Sequence, residues 1–139
     1  MNTYLNFPGN TEEVFMFYRS VFGGEFHTVQ RFKDTPQANI SGEDGEKIVH
    51  ISLPVGEGNL LMGTDVLGPI GDKINPGNNF YIFLEAETQE EATKLFNGLS
   101  AGGEIITPLA DTFWGACYGA FRDKFNIKWM VNYTYPEHK

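Results

Sequence analysis

The sequence predicts an α+β fold built from two copies of a β-α-β-β-β module. The first observation is a repeat: Glu12-Glu13, an apolar stripe and Gly23-Gly24-Glu25-Phe26 recur in order as Glu90-Glu91, a second stripe and Gly102-Gly103-Glu104-Ile105. Each copy follows a strand-like run and precedes what reads as three more, which marks a duplicated supersecondary unit. The second observation lies between the copies, where residues 65–79 contain Gly-Pro, Gly-Asp and Asn-Pro-Gly and fit a linker. The third is the period-two alternation after the Asp123 break: Trp129, Val131 and Tyr133 share one face, Met130, Asn132 and Thr134 the other. A lone module would leave a sheet face bare, so the copies are expected to pair, edge to edge or across a dimer.

In order, residues 3–7 form a first strand, closed by Pro8-Gly9. Asn10 suits a helix N-cap, with Glu13 closing a capping box and Val14, Phe17, Tyr18, Val21 and Phe22 forming the apolar stripe. Gly23-Gly24 ends the helix. Strands are expected over 25–32, 47–53 and 59–63, with a polar stretch containing Pro36 and a Gly42-Glu-Asp-Gly45 turn before the second and a Gly56-Glu57-Gly58 turn before the third. Residues 80–85 are apolar on both faces for most of their length, which predicts a central strand. Thr88 with Glu91 starts a second capped helix, whose stripe is Ala92, Leu95, Phe96 and Leu99. The last third reads as two strands around the Asp123–Asn126 turn, with Gly115 and Gly119 where another backbone or a ring comes close.

The chain has 139 residues, and the modules are expected at about 1–66 and 79–135 with a linker over 67–78, together one domain over 1–139. A net charge of -8 with no basic stripe argues against nucleic acid. No apolar run reaches the ~20 residues of a membrane span and the start has no signal-peptide pattern, so a cytoplasmic protein is expected. Cys117 is the only cysteine, which excludes internal disulfides and multi-thiolate zinc sites and favours a small core residue.

The run Trp-Gly-x-x-x-Gly-x-x-x-Asp-x-Phe-x-x-x-Trp, from Trp114 to Trp129, resembles the C-terminal signature of the PhnB-like branch of the vicinal oxygen chelate superfamily, which includes glyoxalase I, bleomycin resistance proteins and extradiol dioxygenases. Where the family usually has Asp-Pro-Phe-Gly, this chain has Asp123-Lys124-Phe125-Asn126, a difference confined to a turn. Phe17-Tyr18, Phe22-Gly23-Gly24-Glu25 and Ile48-Val49-His50 before Met62-Gly63-Thr64-Asp65 are also similar to that branch, so the resemblance covers nearly the whole chain. It implies the glyoxalase/bleomycin resistance fold, a curved mixed sheet around a cavity, and a homodimer. Proteins of this type also carry a 3-demethylubiquinone methyltransferase-like name, but no cofactor motif for methyl transfer is present.

Enzymes of the superfamily hold a divalent metal with His, Gln or Glu from the first and last strands of each module. Counting along this chain places those positions at about Thr3, at Leu61 or Met62, within residues 79–81 and at Met130. Hydrocarbon and thioether groups cannot replace a metal's water shell, so no cofactor is expected, with a divalent metal kept as the alternative. The leading expectation is a protein that binds a small apolar or planar molecule. The alternatives are a metal-dependent or His50-assisted lyase, isomerase or dioxygenase, and a sequestering resistance protein. His50 is the best catalytic candidate. The candidate ligand-binding residues are His50, Met62, Asp65, Trp114, Tyr118, Met130 and Asn132. Trp129, of opposite parity to Met130, is expected under a helix.

Overall fold

In a computed structural model, residues 1–35, 42–56 and 58–136 are described; Pro36, Glu57 and His138 lie outside them. The chain divides into two compact units, Met1–Asn75 and Pro76–Lys139. Each contains a four-stranded mixed sheet and one long helix.

In the first unit β1 (Thr3–Phe7), β2 (Thr28–Arg31), β3 (Ile48–Pro54) and β4 (Leu60–Asp65) run in the spatial order β1-β4-β3-β2. Strand β1 is parallel to β4, and the other pairs are antiparallel. The helix α1 (Thr11–Phe22) buries Val14, Phe15, Tyr18 and Val21. Phe15 was absent from the expected stripe; its ring lies where a side chain on Gly63 of β4 would stand, 2.6 Å from an added Cβ. The missing side chain is therefore what lets the helix dock.

The helix start also differs from the expected capping box. Asn10 is the N-cap residue, but its Oδ1 is buried without a partner and its side chain makes no cap bond. The Asp65 carboxylate takes over: Oδ1 accepts from Thr11 N at 2.9 Å, and Oδ2 from Ile48 N at 2.8 Å. A carboxylate here satisfies a free helix N–H and opposes the positive helix end. Residues 42–45, expected as a turn, form a one-turn helix α2 (Gly42–Gly45). It is tied down by Arg31, whose guanidinium grips both oxygens of Glu12 and also donates to Glu46 O. That hydrogen bonding holds the Glu12 carboxyl below its usual range.

In the second unit β5 (Ile82–Glu85), β6 (Glu104–Asp111), β7 (Ala116–Arg122) and β8 (Lys128–Thr134) take the matching order β5-β8-β7-β6. Strand β5, expected to be central, is at one end of this order and, among the described residues, pairs with β8 alone. Its apolar side chains reflect one face toward the helix side and a second, half-open face: Phe83 is 55% exposed. The helix α3 (Gln89–Ser100) has the expected local cap, Thr88 Oγ1 accepting from Glu91 N at 3.0 Å. Ala92, Leu95, Phe96 and Leu99 are buried as the stripe requires. The Phe96 ring sits over Gly119 of β7, again 2.6 Å from an added Cβ.

The Asp123 turn is a dense hydrogen-bond node. Its Oδ1 accepts from Phe125 N and Ile127 N, and its Oδ2 from Trp129 Nε1 at 2.8 Å. Asn126 sits at φ 72°, a left-handed position that Asn tolerates and that the family's Gly would fill without strain. Trp129 is 1% exposed, on the helix side of its strand. Among the described residues no helix is long and apolar enough to cross a membrane.

Candidate functional site

Each sheet has one face against its helix and one turned away. Paired residues on neighbouring strands share a face, so the register identifies both. In the first unit, Leu5, Gly63 and Ile51 lie in one row on the helix side. The opposite face carries the row Tyr4, Met62, Ser52 and Thr28, and beside it Asn6 with Thr64 and His50 with Gln30.

His50 meets Tyr4 on that face. Tyr4 Oη and His50 Nδ1 are 3.0 Å apart and the ring centroids 5.6 Å. Burial pushes the Tyr4 hydroxyl above its usual range, so it stays protonated near neutrality. Just before β2, His27 Nδ1 bonds Thr28 Oγ1 at 3.1 Å and approaches Ser52 Oγ.

The first ligand-equivalent position was expected at about Thr3. Thr3 pairs with Leu61 on the helix side, whereas Tyr4 is the partner of Met62 on the open side. Asp65 lies on the helix side, opposite in parity to Met62, with both oxygens bonded to backbone N–H groups. The structure therefore separates it from His50 and Met62.

In the second unit the away face carries Phe83, Met130 and Ala120 in one row and Glu85, Asn132 and Tyr118 in the next. The partner of Met130 in this row is Phe83, outside the residues 79–81 where the third position was expected. Asn132 is buried; its Nδ2 donates to Glu85 Oε1 at 2.8 Å, while Glu85 Oε2 accepts from Thr134 N. Trp114, 53% exposed, precedes β7 in the turn at Gly115, with its ring 6.0 Å from Tyr118. Its other neighbour is Phe113, edge-on at 5.0 Å. Met130, Asn132, Tyr118 and Trp114 are therefore brought together, and His50 and Met62 form a separate group in the first unit. Cys117 is buried, and burial pushes its thiol up, away from the reactive thiolate.

Tyr4, Phe83 and Glu85 were missed by sequence reasoning. Tyr4 had a usable signal, because it alternates with the buried Leu5 and Phe7 in β1. Glu85 had none, since its partners belong to a strand far along the chain.

Taken unit by unit, neither Tyr4 with Met62 nor Phe83 with Met130 offers donors suited to a divalent metal. Both Met side chains are thioethers, Phe83 is a hydrocarbon, and the Tyr4 phenol is held in its protonated form, which is a poor ligand. Among the described residues there is also no group of three or more His, Cys, Asp or Glu placed to hold a metal ion.

The sequence model of the Glyoxalase/Bleomycin resistance protein/Dioxygenase superfamily matches residues 2–131. Protein PA1353 from Pseudomonas aeruginosa is similar in structure, with a TM-score of 0.80 and 34% identity over 96% of each chain. A PhnB protein from Bacillus cereus superposes with a TM-score of 0.70 over 96% of this chain and 98% of its own, at 24% identity, a likeness of fold. Protein YjdN of Escherichia coli strain K12 is 28% identical over 95% of this chain and 93% of its own length.

Proposed function

The chain belongs to the Glyoxalase/Bleomycin resistance protein/Dioxygenase superfamily, and from that premise we propose that it binds a small, apolar or planar molecule in a cavity without the superfamily's metal ligands. The observation that supports this reading is the pair of cross-strand positions, Tyr4 with Met62 and Phe83 with Met130. They repeat in the two units on faces turned away from the helices, and they offer rings and thioethers, which suit a flat apolar ligand. Trp114 and Tyr118 extend that surface in the second unit. We take the protein to be cytoplasmic and homodimeric, a single domain over residues 1–139 with its linker at about 67–78.

The test has two arms. Elemental analysis of the purified protein, repeated after incubation with nickel, zinc, manganese and iron, should find less than about a tenth of an equivalent of each. Near one equivalent, lost in His50→Ala, would overturn the metal-free reading and call for enzyme assays. A thermal-shift screen with planar apolar compounds should find stabilising ligands that are recovered unchanged.

A second reading is favoured by one observation, the Tyr4–His50 hydrogen bond. It is a metal-free isomerase or lyase in which His50 moves a proton, and turnover of a bound compound, lost in His50→Ala, would establish it. A sequestering role in drug resistance would appear as protection of cells by the expressed protein.

A further inference from the structure

The first sheet's away face has a polar centre that an apolar ligand alone does not explain. Tyr4 Oη and His50 Nδ1 bond to each other, and His50 Nε2 has no partner among the described residues. The two rows around them hold Met62, Ser52, Thr64 and Gln30, with no Lys, Arg, Asp or Glu.

We infer that the Tyr4–His50 pair is a binding site for the hydroxyl group of a planar phenol or enol, taken up in its neutral form. The inference rests on the small-molecule reading above and adds the polar group that the ligand must carry.

The argument begins with proton counting. A neutral imidazole has one donor and one acceptor nitrogen. When Tyr4 donates to Nδ1, the hydrogen is on Nε2, which then offers a donor to an incoming oxygen. When Nδ1 carries the hydrogen and donates to Tyr4 Oη, Nε2 becomes an acceptor for an incoming O–H. A shift between tautomers thus serves a group that both gives and receives a hydrogen bond, and a hydroxyl is such a group. The adjoining thioether of Met62, the cross-strand partner of Tyr4, supplies a soft apolar contact for the ring that bears it.

In these two rows a charged group meets no Lys or Arg side chain. A carboxylate or phosphate here would lose water without gaining a lysine or arginine partner from these rows. The chain's net charge of -8 opposes an anion further.

The test uses 4-chlorophenol, which is neutral at neutral pH, and chlorobenzene, which lacks only the hydroxyl. Isothermal titration of the full chain should give about tenfold tighter binding of the phenol, the worth of one satisfied neutral hydrogen bond. His50→Gln should bring the ratio toward one, and Tyr4→Phe, which removes the partner that sets the His50 tautomer, should lower it. If His50→Gln fails to fold, Tyr4→Phe alone decides. Nitrogen NMR of the unliganded protein adds a readout that general destabilisation would not move: the His50 ring nitrogens should change their shifts in Tyr4→Phe. Equal binding of the two probes, a ratio that survives both substitutions, or unchanged His50 ring nitrogens would overturn the hydroxyl site and leave apolar binding standing. If neither probe binds, the small-molecule reading falls with it.

Discussion

The two units solve one structural problem in different ways. Both must start a helix and seat it on a four-stranded sheet. The second caps its helix with Thr88, three residues from the N–H it serves, whereas the first uses Asp65, 54 residues from Thr11. The second seats Phe96 on Gly119 of β7, and the first seats Phe15 on Gly63 of β4. Their away faces diverge too: the first centres on an uncharged hydrogen-bonded pair, the second on Phe83, Met130 and Tyr118 with a satisfied Glu85–Asn132 contact. Duplicated topology therefore constrains strand order far more than it constrains the side chains that stabilise it.

The contrast in caps predicts the largest effect. Asp65→Ala strands two buried N–H groups and should lower stability by about 3 kcal/mol. Thr88→Ala should cost about 1 kcal/mol. Urea titrations of both would break the comparison if the two losses were equal.

The glycine contacts come next. Gly63→Ala and Gly119→Ala should each cost about 2 kcal/mol by overpacking. The Gly119 change should be the worse, because an added Cβ there also meets the Leu109 backbone at 3.0 Å. Phe15→Leu should rescue Gly63→Ala more fully than Phe96→Leu rescues Gly119→Ala, read as shifts in melting temperature.

Smaller still is the turn. Asn126→Ala places a Cβ at φ 72° without an amide to compensate and should cost about 1 kcal/mol, while Asn126→Gly should be close to neutral.

The smallest effect is a titration. Tyr135 donates to Asp111, which pushes its hydroxyl up to about 12 from an ordinary value near 10. A raised acid is stabilised in its protonated form, so this contribution is complete below about pH 10 and disappears as pH climbs toward 12. Ultraviolet titration should show one late tyrosine, restored toward its ordinary value in Asp111→Asn.

The repeat, both helices and the order of strands along the chain were legible because their signals are local. Gly pairs, a Thr-x-x-Glu box and period-two runs act within a few residues. Asp65 was not legible as a cap, since nothing near it in sequence announces Thr11. Tyr4 was missed by a single step of counting, and one step is enough, because a one-residue slip in a strand moves a side chain to the other face. Phe83 lies two residues beyond the range expected there, on the same parity as Tyr81, at a strand start preceded by a turn-rich stretch. Trp129 was read correctly because its parity was fixed from the Asp123 break close by.

The long-range Asp65 cap also bears on how the chain is born. As residues leave the ribosome from the N-terminus, α1 emerges well before the carboxylate that completes it, and the parallel partner of β1 emerges with that carboxylate. Loop closure must precede the reward, so the first unit acquires its helix start and its sheet edge in one late event. The second has its helix cap as soon as Glu91 appears, and only its sheet waits for β8. A pulse-labelled hydrogen-exchange experiment would therefore see protection reach α3 before α1, reversing their order along the chain.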